Sequence, residues 1–585
     1  MKLTKLLALV LALVLVLGVL AGCGGDTKPT EPQGTQSGEN PGSENAGGIP
    51  EKYKNLAYFD EAHPERYGGV LNFVNGTADA HLDINAAGAA TGTSYWARYV
   101  YESALAVGAD GKLYPLVCEY DYDEENKTWL ELWVREGVTF HDGTPVTIED
   151  VWASYNRNPK YQYIFEGMVG EAQINDGVLH IDYTEDIGCI RALYWFGYFD
   201  TSFGVMPKWV CDQWSGFQSG VILDPQYVIG TGPYKIVADE YVPMELIPLE
   251  RYAGYLPCFE GNVLEYPNGR AAPRIAYLDE INVIINTDTN ATMMELLQGN
   301  ADMIFSNAEI FKASLEPLGY QMYEDVSKAP QSDTPSLLFN MHTEETALND
   351  HKASTSILAD DPNLRKAICA AINLDEVMFA QYNDWWFAES SPVNCAGYSK
   401  AAFENADYRN MNGDIAEAKA YLEKSNYNGE TIILRRPATS GAAMCQVVQK
   451  NCAAAGINIS IEGVDISAYQ SDYRCGASGW DMYMLFGHNS STWAGFMPIN
   501  SYLTWGNEKG AELRKIIFRE LNGTEASLQA WEELSQLMAD ECSYFVLGKS
   551  KGDRYVYAPG LTPNYTGYSC WYSAYWDDPS AHGAK

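Results

Sequence analysis

The chain has 585 residues, 46% of them hydrophobic, and carries 77 acidic against 39 basic side chains, for a formal net charge of -38. This apolar content is ample for large buried cores and excludes a chain that is disordered throughout, while the length predicts two or more lobes. The acidic excess would repel phosphate backbones and anionic lipids, which argues against nucleic acid as a partner and against a polybasic membrane attachment.

The amino terminus has the pattern of an exported protein. Two lysines precede an apolar run from Leu6 to Leu20, and small residues follow. This order predicts a secretory signal peptide over residues 1–22, since roughly 15 apolar residues are too few to span a bilayer comfortably. The junction LAGC, which ends at Cys23, resembles the bacterial lipobox, in which the cysteine is lipidated. We therefore expect lipid on Cys23 to anchor the protein on the extracytoplasmic face of the cell membrane, with an ordinary signal peptide and an incidental cysteine as the alternative.

Residues 23–50 are predicted to form a flexible linker after the lipidated cysteine. The segment is rich in Gly, Pro, Ser, Thr, Asn and Glu and contains almost no large apolar side chains. Such a composition cannot bury enough surface to offset the entropy lost on ordering. The globular body is therefore expected to begin near residue 51.

Strands and helices alternate in the first half of the body. The sequence predicts a strand over Gly69–Val74 and a helix over Thr93–Leu105. The alternation of side chains across Trp129–Arg135 is typical of a half-exposed strand. Thr147 stands three residues before Asp150, as in a capping box, so a helix is predicted to begin there.

The second half of the body shows the same alternation. A strand is predicted over 280–286 and a helix over 289–298, and further helices should begin after the capping residues Asp361 and Asp414. A helix from Gly441 to Gly456 leads directly into a strand. Interleaved strands and helices favour an α/β or α+β arrangement, and the absence of a short repeat disfavours a solenoid or propeller.

The 12 cysteines show no metal-binding or redox pattern. With Cys23 set aside as the lipid site an odd number remains, so at least one thiol is unpaired if the others form disulfides. No C-x-x-C pair occurs, and the spacings match no zinc ribbon or finger. Cys369 lies on the apolar helix face LRKAICAAI, where a small buried hydrophobe is the favoured interpretation.

The sequence offers little support for a catalytic site. It contains no H-E-x-x-H or Walker A pattern, and none of the eight histidines lies three or four residues from another. The Gly-rich turn at 230–234 lacks a lysine and leads into a strand, which argues against phosphate binding. We expect no catalytic residue, no metal and no cofactor. A secreted hydrolase with acids in a cleft stays open as the alternative from a different class, since a chain so rich in acids always places some pair at glycosidase distance.

Aromatic residues give a more specific indication of a binding surface. The chain has 40 Tyr and 15 Trp, and several tryptophans occur in loop-like settings, among them Trp385 and Trp386 in YNDWWFAES and Trp493 in HNSSTWAG. Flat amphipathic rings in loops suit peptide side chains or sugar faces. Core or surface packing is the alternative for each ring taken alone.

Nine short stretches, taken together, resemble a known family. In family order they are YESAL at 101–105, LWVREGVTFHDGTPVTIEDV at 132–151, IGTGPYKI at 229–236, LLQGNADMI at 296–304, NLRKAICAAINLDEV at 363–377, SSPV at 390–393, AEAKAYL at 416–422, AGINISI at 455–461 and WDM at 480–482. The chain is similar to the large solute-binding lipoproteins of bacterial ABC importers, the extracellular family 5 group that includes oligopeptide- and dipeptide-binding proteins. The resemblance extends over nearly all of the mature body.

This resemblance implies an α/β, bilobal fold of the periplasmic-binding-protein type II class, with hinge strands between the lobes. Lobe one would span residues 51–290 and carry an inserted subdomain at about 101–215. Lobe two would span residues 291–545, and residues 546–585 would return to lobe one. A ligand that contacts both lobes would shift the population to the closed state.

The resemblance also implies which residues line the cleft between the lobes. The candidates are Thr77, Asp79 and His81 after the first strand, Asn340, Trp385 and Trp386, and His488, Asn489, Ser490 and Trp493 in lobe two. In peptide-binding relatives an aspartate of lobe two meets the peptide ammonium, and Ser490 stands near that position here. Asp79 is therefore our candidate to bind the peptide ammonium in its place. The alternative is that Asp79 is an acid in a turn that faces water. Asp481 matches a structural acid of the family and is not expected to bind ligand.

The function implied is that of a non-enzymatic, lipid-anchored binding component of an ABC importer. It would be a monomer that captures oligopeptides and delivers them to the transmembrane subunits of a permease, whose ATPases lie inside the cell. An oligosaccharide cargo is the alternative within the family, favoured by the tryptophans and by the missing aspartate, while a nickel or haem cargo fits the sparse histidines poorly. A sensor built on the same fold also stays open.

Overall fold

Strands and helices alternate along the chain, as predicted for an α/β protein. The computed structural model describes residues 49–75, 81–85, 93–107, 113–157, 169–183, 188–197, 204–214, 222–258, 264–265, 271–272, 275–286, 288–305, 314–324, 333–347, 350–390, 401–438, 440–465, 468, 472–488, 505–521, 523–550, 554–563 and 573–583. The strands are β1 (Val70–Asn75), β2 (Leu105–Val107), β3 (Leu113–Pro115), β4 (Cys118–Tyr122), β5 (Trp129–Val134), β6 (Val169–Asn175), β7 (Val178–Tyr183), β8 (Tyr234–Ile236), β9 (Leu246–Arg251), β10 (Leu264–Glu265), β11 (Ala271–Ala272), β12 (Glu280–Ile285), β13 (Met303–Phe305), β14 (Gln321–Glu324), β15 (Asp333–Phe339), β16 (Trp386–Phe387), β17 (Thr431–Pro437), β18 (Asn458–Val464), β19 (Met482–His488), β20 (Tyr544–Val546), β21 (Lys549–Ser550), β22 (Arg554–Tyr557), β23 (Leu561–Thr562) and β24 (Tyr575–Trp576). The helices are α1 (Thr93–Val100), α2 (Ile148–Arg157), α3 (Ile190–Gly197), α4 (Lys208–Gln213), α5 (Thr289–Leu297), α6 (Pro362–Ala371), α7 (Leu374–Tyr382), α8 (Ala401–Glu404), α9 (Ile415–Leu422), α10 (Ala442–Ala455), α11 (Glu508–Arg519) and α12 (Glu525–Glu541).

Three large sheets organise these elements. A seven-stranded mixed sheet has the order β14-β22-β13-β1-β12-β9-β8, with β1 parallel to both of its neighbours. A five-stranded mixed sheet has the order β18-β17-β19-β15-β20, and an antiparallel four-stranded sheet has the order β4-β5-β7-β6. Mixed sheets with helices packed against them are the α/β layer arrangement that the sequence predicts.

Each large sheet has its own apolar core. The seven-stranded sheet packs buried residues such as Phe73, Tyr234 and Val283 together with Tyr555 from near the carboxyl terminus. The five-stranded sheet lies in a core drawn entirely from residues 337–547. The four-stranded sheet lies in a third core, drawn from residues 104–205. Separate cores indicate two lobes and a subdomain, and this third core falls within the predicted insertion at about 101–215.

The sheets also bear on where one lobe ends and the other begins. β13 and β14 lie beyond residue 290, the predicted end of lobe one, yet both belong to the seven-stranded sheet. β15 is the first strand of the five-stranded sheet, and β22 returns the chain to the seven-stranded sheet. We propose that lobe one extends to residue 324, that lobe two occupies residues 333–550, and that the chain returns to lobe one at residue 554.

Local sequence signals set several helix starts. The carboxylate of Asp361 accepts the backbone N–H of Leu364 at 2.9 Å and begins α6 as predicted. Asp414 caps α9 in the same way through two backbone N–H groups. At α2 the carboxylate of Asp150 accepts the backbone N–H of Thr147 at 2.8 Å, and the hydroxyl of Thr147 accepts the backbone N–H of Asp150 at 3.4 Å, which is the reciprocal pairing of a capping box.

One predicted helix is shorter than expected because of a tertiary contact. The prediction ran from Thr93 to Leu105, but α1 ends at Val100, whose carbonyl accepts the N–H of Gly232 at 2.8 Å. A Cβ at Gly230 would lie 2.1 Å from that carbonyl oxygen, so only glycine fits. The Gly-rich turn therefore serves close packing against the end of α1.

Candidate ligand cleft

Chain topology places the candidate cleft between matching edges of the two mixed sheets. We call the edge at which β1 ends the carboxyl edge of lobe one, and the edge at which β19 ends the carboxyl edge of lobe two. β14 ends at the first of these edges, because Glu324 is paired with Arg554, the first residue of β22. β15 begins at the second, because Asp333 is paired with His488, the last residue of β19. The connection from β14 to β15, which we call the first crossing, thus links one carboxyl edge to the other.

The chain passes from β20 of lobe two back to β22 of lobe one, and we call this connection the second crossing. It links the same two edges in the opposite direction. β20 is antiparallel to β15 and ends with Val546 opposite Ser336, near the start of β15. β22 is antiparallel to β13 and therefore starts at the carboxyl edge of lobe one. In α/β sheets, ligands bind in the crevice outside the carboxyl ends of the strands. The segments that follow β1 and β19 both lie at such ends, which is where the sequence predicts ligand residues.

On the lobe one side, residues 81–85 follow β1 and are firmly held. His81 is half-buried, and its Nδ1 accepts the backbone N–H of Asp83 at 3.2 Å. Burial lowers the pKa of His81, so its ring is neutral at pH 7. The amide of Asn85 makes two 3.0 Å hydrogen bonds with the backbone of Gly204. A neutral ring at this position suits hydrogen bonding to an uncharged ligand group.

The strongest anchor of this segment is a buried ion pair that sequence reasoning missed. Asp83 has no exposed surface, and its carboxylate accepts two hydrogen bonds from the guanidinium of Arg157, one of them at 2.8 Å. The same carboxylate accepts the N–H of Ile222, and Arg157 also donates to the carbonyl of Trp214. The one available signal was the apolar pair Leu82 and Ile84 on either side of Asp83, which indicates a buried segment. This signal does not indicate that Arg157 is the partner.

On the lobe two side, Asp481 has the structural role expected of it. Its carboxylate accepts the hydroxyl of Ser356 at 2.6 Å and the backbone N–H of Ile433 at 2.7 Å. These bonds fix the start of β19, whose last residue is His488. β19 therefore carries the chain from this anchor to the carboxyl edge of lobe two.

Asn340 follows β15 and is almost fully buried. Its side-chain amide donates to the carbonyls of Gly476 at 3.0 Å and Trp480 at 2.9 Å, so the donor groups hold the loop before β19. Its Oδ1 is buried without a hydrogen-bond partner among the described residues. A direct role of Asn340 in ligand binding stays a prediction.

Trp385 and Trp386 lie at the strand that pairs with β21, the last strand before the second crossing. Both rings are half-buried, and Trp386 begins β16, which pairs with Ser550 in β21. The next strand after β21 is β22, which belongs to the seven-stranded sheet of lobe one. The two tryptophans are thus close to the second crossing, where a movement of one lobe relative to the other would change their surroundings. Their predicted contact with ligand is untested.

Several predicted site residues lie outside the described part of the chain. These are Cys23, Thr77, Asp79, Asn489, Ser490 and Trp493. The structure therefore brings His81 and His488 to equivalent edges of the two sheets, and it leaves the residues beside them as predictions.

Lobe two also touches the inserted subdomain. Nη2 of Arg519, at the end of α11, donates to the carbonyl of Asn126 at 3.0 Å. Leu521 packs against the core of the four-stranded sheet. A Cβ at Gly188 would lie 3.5 Å from Cγ of Arg519. This contact, which we call the subdomain contact, joins the lobes at a third place, in addition to the two crossings.

Comparison with known proteins decides the family. The model of the bacterial extracellular solute-binding proteins, family 5 Middle, matches residues 112–510, more than half of the chain. The chain belongs to this family. The resemblance described above is thereby confirmed, and with it a binding protein of ABC importers in place of an enzyme. The secreted hydrolase considered as an alternative is set aside, because members of this family are transport binding proteins.

Individual relatives agree with this assignment. The chain is 22% identical over 406 residues to the probable peptide ABC transporter periplasmic-binding protein y4tO of Sinorhizobium fredii, which covers 66% of this chain and 69% of that protein. It matches the solved structure of AgaA from A. tumefaciens R10 in complex with agropinic acid, with a TM-score of 0.62, 17% identity and coverage of 88% and 98%. It also matches the oligopeptide-binding protein AppA of Bacillus subtilis in complex with a nonapeptide, with a TM-score of 0.59, 15% identity and coverage of 88% and 99%. These structural likenesses confirm the bilobal α/β fold.

Within the described residues, no helix is both long enough and apolar enough to cross a membrane. The protein is an extracellular solute-binding protein by family.

Proposed function

We propose that this protein captures oligopeptides between its lobes and delivers them to the permease of an ABC importer. The observation that carries the proposal is the pair of crossings that join the carboxyl edges of the two mixed sheets. A ligand between these edges would contact both lobes and stabilise the closed state. A monomer is sufficient for this mechanism, because one chain supplies both edges.

An extended peptide suits a crevice bordered by strand ends. Backbone groups that project beyond β1 and β19 can pair with a peptide main chain, while pockets accept varied side chains. The relatives y4tO and AppA carry peptide in their names, which favours this cargo. We further propose that Thr77, Asp79, His81, Trp385, Trp386, His488, Asn489, Ser490 and Trp493 line the cleft. A ligand contact of Asn340 stays a prediction, because Asn340 follows the last residue of β15, at the end of the sheet opposite the carboxyl edge.

The cargo is tested by identifying what the purified protein carries. Protein purified without denaturation is then denatured, and mass spectrometry is applied to the released molecules. A mixed ladder of peptides is expected. Peptides added back to emptied protein should raise its melting temperature, since a ligand at 100 times its Kd stabilises the folded state by about 2.7 kcal/mol. Recovery of a non-peptide cargo, with no stabilisation by peptides, would overturn the proposal.

Recognition of the peptide amino terminus is tested at Asp79. Asp79→Asn should weaken binding of a peptide with a free amino terminus about tenfold and leave its N-acetylated form unchanged, because only the ammonium pairs with the carboxylate. Glu119, an exposed acid of β4 in the subdomain, supplies the matched control as Glu119→Gln. If Asp79→Asn and the unaltered protein bind each peptide with equal affinity, Asp79 does not bind the peptide ammonium.

An oligosaccharide is the second candidate cargo, favoured by two observations. Trp385 and Trp386 lie beside the second crossing, and the run from His488 to Trp493 offers hydroxyl, amide and imidazole groups in place of an acid. AgaA, whose bound ligand is agropinic acid, shows that non-peptide ligands occur among structural neighbours. A sugar in the mass spectrum of released molecules would select this candidate.

We also propose that the mature protein begins at a lipidated Cys23 and that residues 24–50 form the tether. The order of lysines, apolar run and LAGC junction supports this proposal. In a bacterial host, Cys23→Ser should release the protein from the membrane fraction, whereas Cys475→Ser, a change in the body of the protein, should not. Membrane retention of Cys23→Ser would exclude lipid on this residue as the attachment.

A further inference from the structure

Two thiols of lobe two lie against each other in its core. Sγ of Cys369 and Sγ of Cys542 are 3.5 Å apart, although the residues are separated by 173 positions. Neither side chain has exposed surface. Cys369 is on α6 and Cys542 directly follows α12. The sequence indicated a buried hydrophobe at Cys369, and the juxtaposition with Cys542 goes beyond that expectation.

The backbones that carry the two thiols are held together by other contacts. Nε of Arg365, one turn before Cys369, donates to the carbonyl of Cys542 at 3.1 Å. Nη2 of the same side chain donates to the carbonyl of Glu541 at 2.7 Å. The hydroxyl of Tyr408 donates to the carbonyl of Ala539 at 2.8 Å and also fixes the end of α12. The approach of the sulfur atoms therefore follows from a fixed backbone arrangement.

We propose that Cys369 and Cys542 form a disulfide when the exported chain folds. A disulfide has an S–S distance of about 2.05 Å, so the sulfur atoms, now 3.5 Å apart, need to approach by about 1.5 Å. The extracellular location of the family provides a compartment in which such bonds persist.

The reaction is thiol–disulfide exchange with a disulfide-bearing thiol oxidoreductase or a small-molecule disulfide. One cysteine thiolate attacks a sulfur of the donor disulfide, which forms a mixed disulfide and releases one donor thiolate. The second cysteine thiolate attacks the mixed disulfide and releases the other donor thiolate. The two cysteines lose two protons and two electrons, and the donor is reduced to two thiols.

The bond forms before the core closes. In the folded protein neither thiol is exposed, and burial raises the pKa of Cys369, so the nucleophilic thiolate is suppressed. An oxidant can reach both thiols only while α6 and the end of α12 are unpacked. After folding, the same burial protects the bond from reductants.

The chain offers a matched control in the same core. Cys452 on α10 is also fully buried there, and no sulfur atom within hydrogen-bonding distance of it is found in the described part of the chain. Cys452→Ala therefore removes a buried thiol of the same lobe and leaves both members of the pair in place. Cys369→Ala removes one member of the pair.

The decisive experiment maps disulfides in full-length protein folded in a glutathione redox buffer. After alkylation, a protease that cleaves before aspartate yields peptides 361–374 and 540–552, each of which contains a single cysteine. We expect these two peptides joined by a bond that reductant breaks, in the unaltered protein and in Cys452→Ala but not in Cys369→Ala. Reductant present during refolding should lower the melting temperature of the first two proteins by several degrees and leave that of Cys369→Ala unchanged.

Two results would overturn the inference. One is the recovery of both peptides unlinked from the oxidatively folded protein. The other is a link from Cys369 to a different cysteine. Both readouts use the unaltered protein, so they stand even if Cys369→Ala fails to fold, and neither depends on the identity of the cargo.

Discussion

Each lobe contains an aspartate that anchors the chain next to a strand of its mixed sheet, Asp83 after β1 and Asp481 before β19, but the two are stabilised differently. Asp83 in lobe one is fully buried and is paired with the guanidinium of Arg157. Asp481 in lobe two is only half-buried and is bound by two neutral donors, the hydroxyl of Ser356 and the N–H of Ile433. A charge that loses all contact with water needs a counter-charge, whereas one that keeps some contact can be held by dipoles.

This difference predicts that lobe one is the more sensitive to loss of a single partner. The largest effect is expected for Arg157→Met, which leaves the carboxylate of Asp83 buried without its counter-charge. Removing one member of a buried pair costs about 3–5 kcal/mol. Urea unfolding should show a loss of this size, and the double variant Asp83→Asn/Arg157→Met should recover most of it. Lys208→Met, which breaks an exposed pair with Asp212, is the control and should change stability little.

Each lobe also contains a histidine whose pKa is lowered, half-buried His141 and buried His342, which extends the comparison to pH. Nδ1 of His141 accepts the N–H of Gly230 at 3.2 Å, and its Nε2 lies 3.0 Å from the carbonyl of Gly232. Burial, with a smaller contribution from the charge of Lys235, lowers the pKa of His141 to about 4. His342 in lobe two, with Nε2 2.8 Å from the carbonyl of Tyr473, has a pKa that burial also lowers.

Acid should therefore begin to destabilise the protein just below pH 6.5, above the range in which most carboxyl groups titrate. The unfolded chain takes up a proton on His141 below about pH 6.5, while the folded protein does so only near pH 4. The contribution of neutral His141 to the free energy of unfolding is therefore fully present above pH 6.5 and is lost as the pH falls to 4. The loss from His141 is at most about 3 kcal/mol. Unfolding measured at a series of pH values should show a flatter profile for His141→Gln than for the unaltered protein. Identical profiles would mean that His141 does not contribute.

The smallest effect is expected in lobe two, for Asp481→Asn. The amide can still accept the N–H of Ile433 through its oxygen and donate to the hydroxyl of Ser356, so about 1 kcal/mol should be lost. Ser356→Ala, which removes one donor, should have an effect of similar size. A loss for Asp481→Asn as large as that for Arg157→Met would contradict the contrast between the lobes.

The features that sequence reasoning predicted well are those set by neighbours in the chain. The capping pairs at Thr147, Asp361 and Asp414 lie within three residues of the groups they bind, and the alternation in β5 is a property of one strand. The family motifs then supplied the bilobal arrangement, which local patterns alone left open between α/β and α+β.

The features that it missed depend on residues far apart in the chain. Asp83 and Arg157 are separated by 74 positions, and the thiols of Cys369 and Cys542 by 173. Helix α1 stops at Val100 because Gly232 occupies its carbonyl, which no pattern within 93–105 could indicate. The predicted end of lobe one at residue 290 stays a prediction; no local pattern could place β13 and β14 in a sheet whose other strands are distant in sequence.

The subdomain contact has an asymmetry of chemical type. Arg519 contributes a side chain, but Asn126 contributes a main-chain oxygen. Every amino acid retains that oxygen, so no replacement at position 126 deletes the acceptor, whereas almost any replacement at position 519 deletes the donor. Replacing a side chain can therefore remove this hydrogen bond only from the lobe two side.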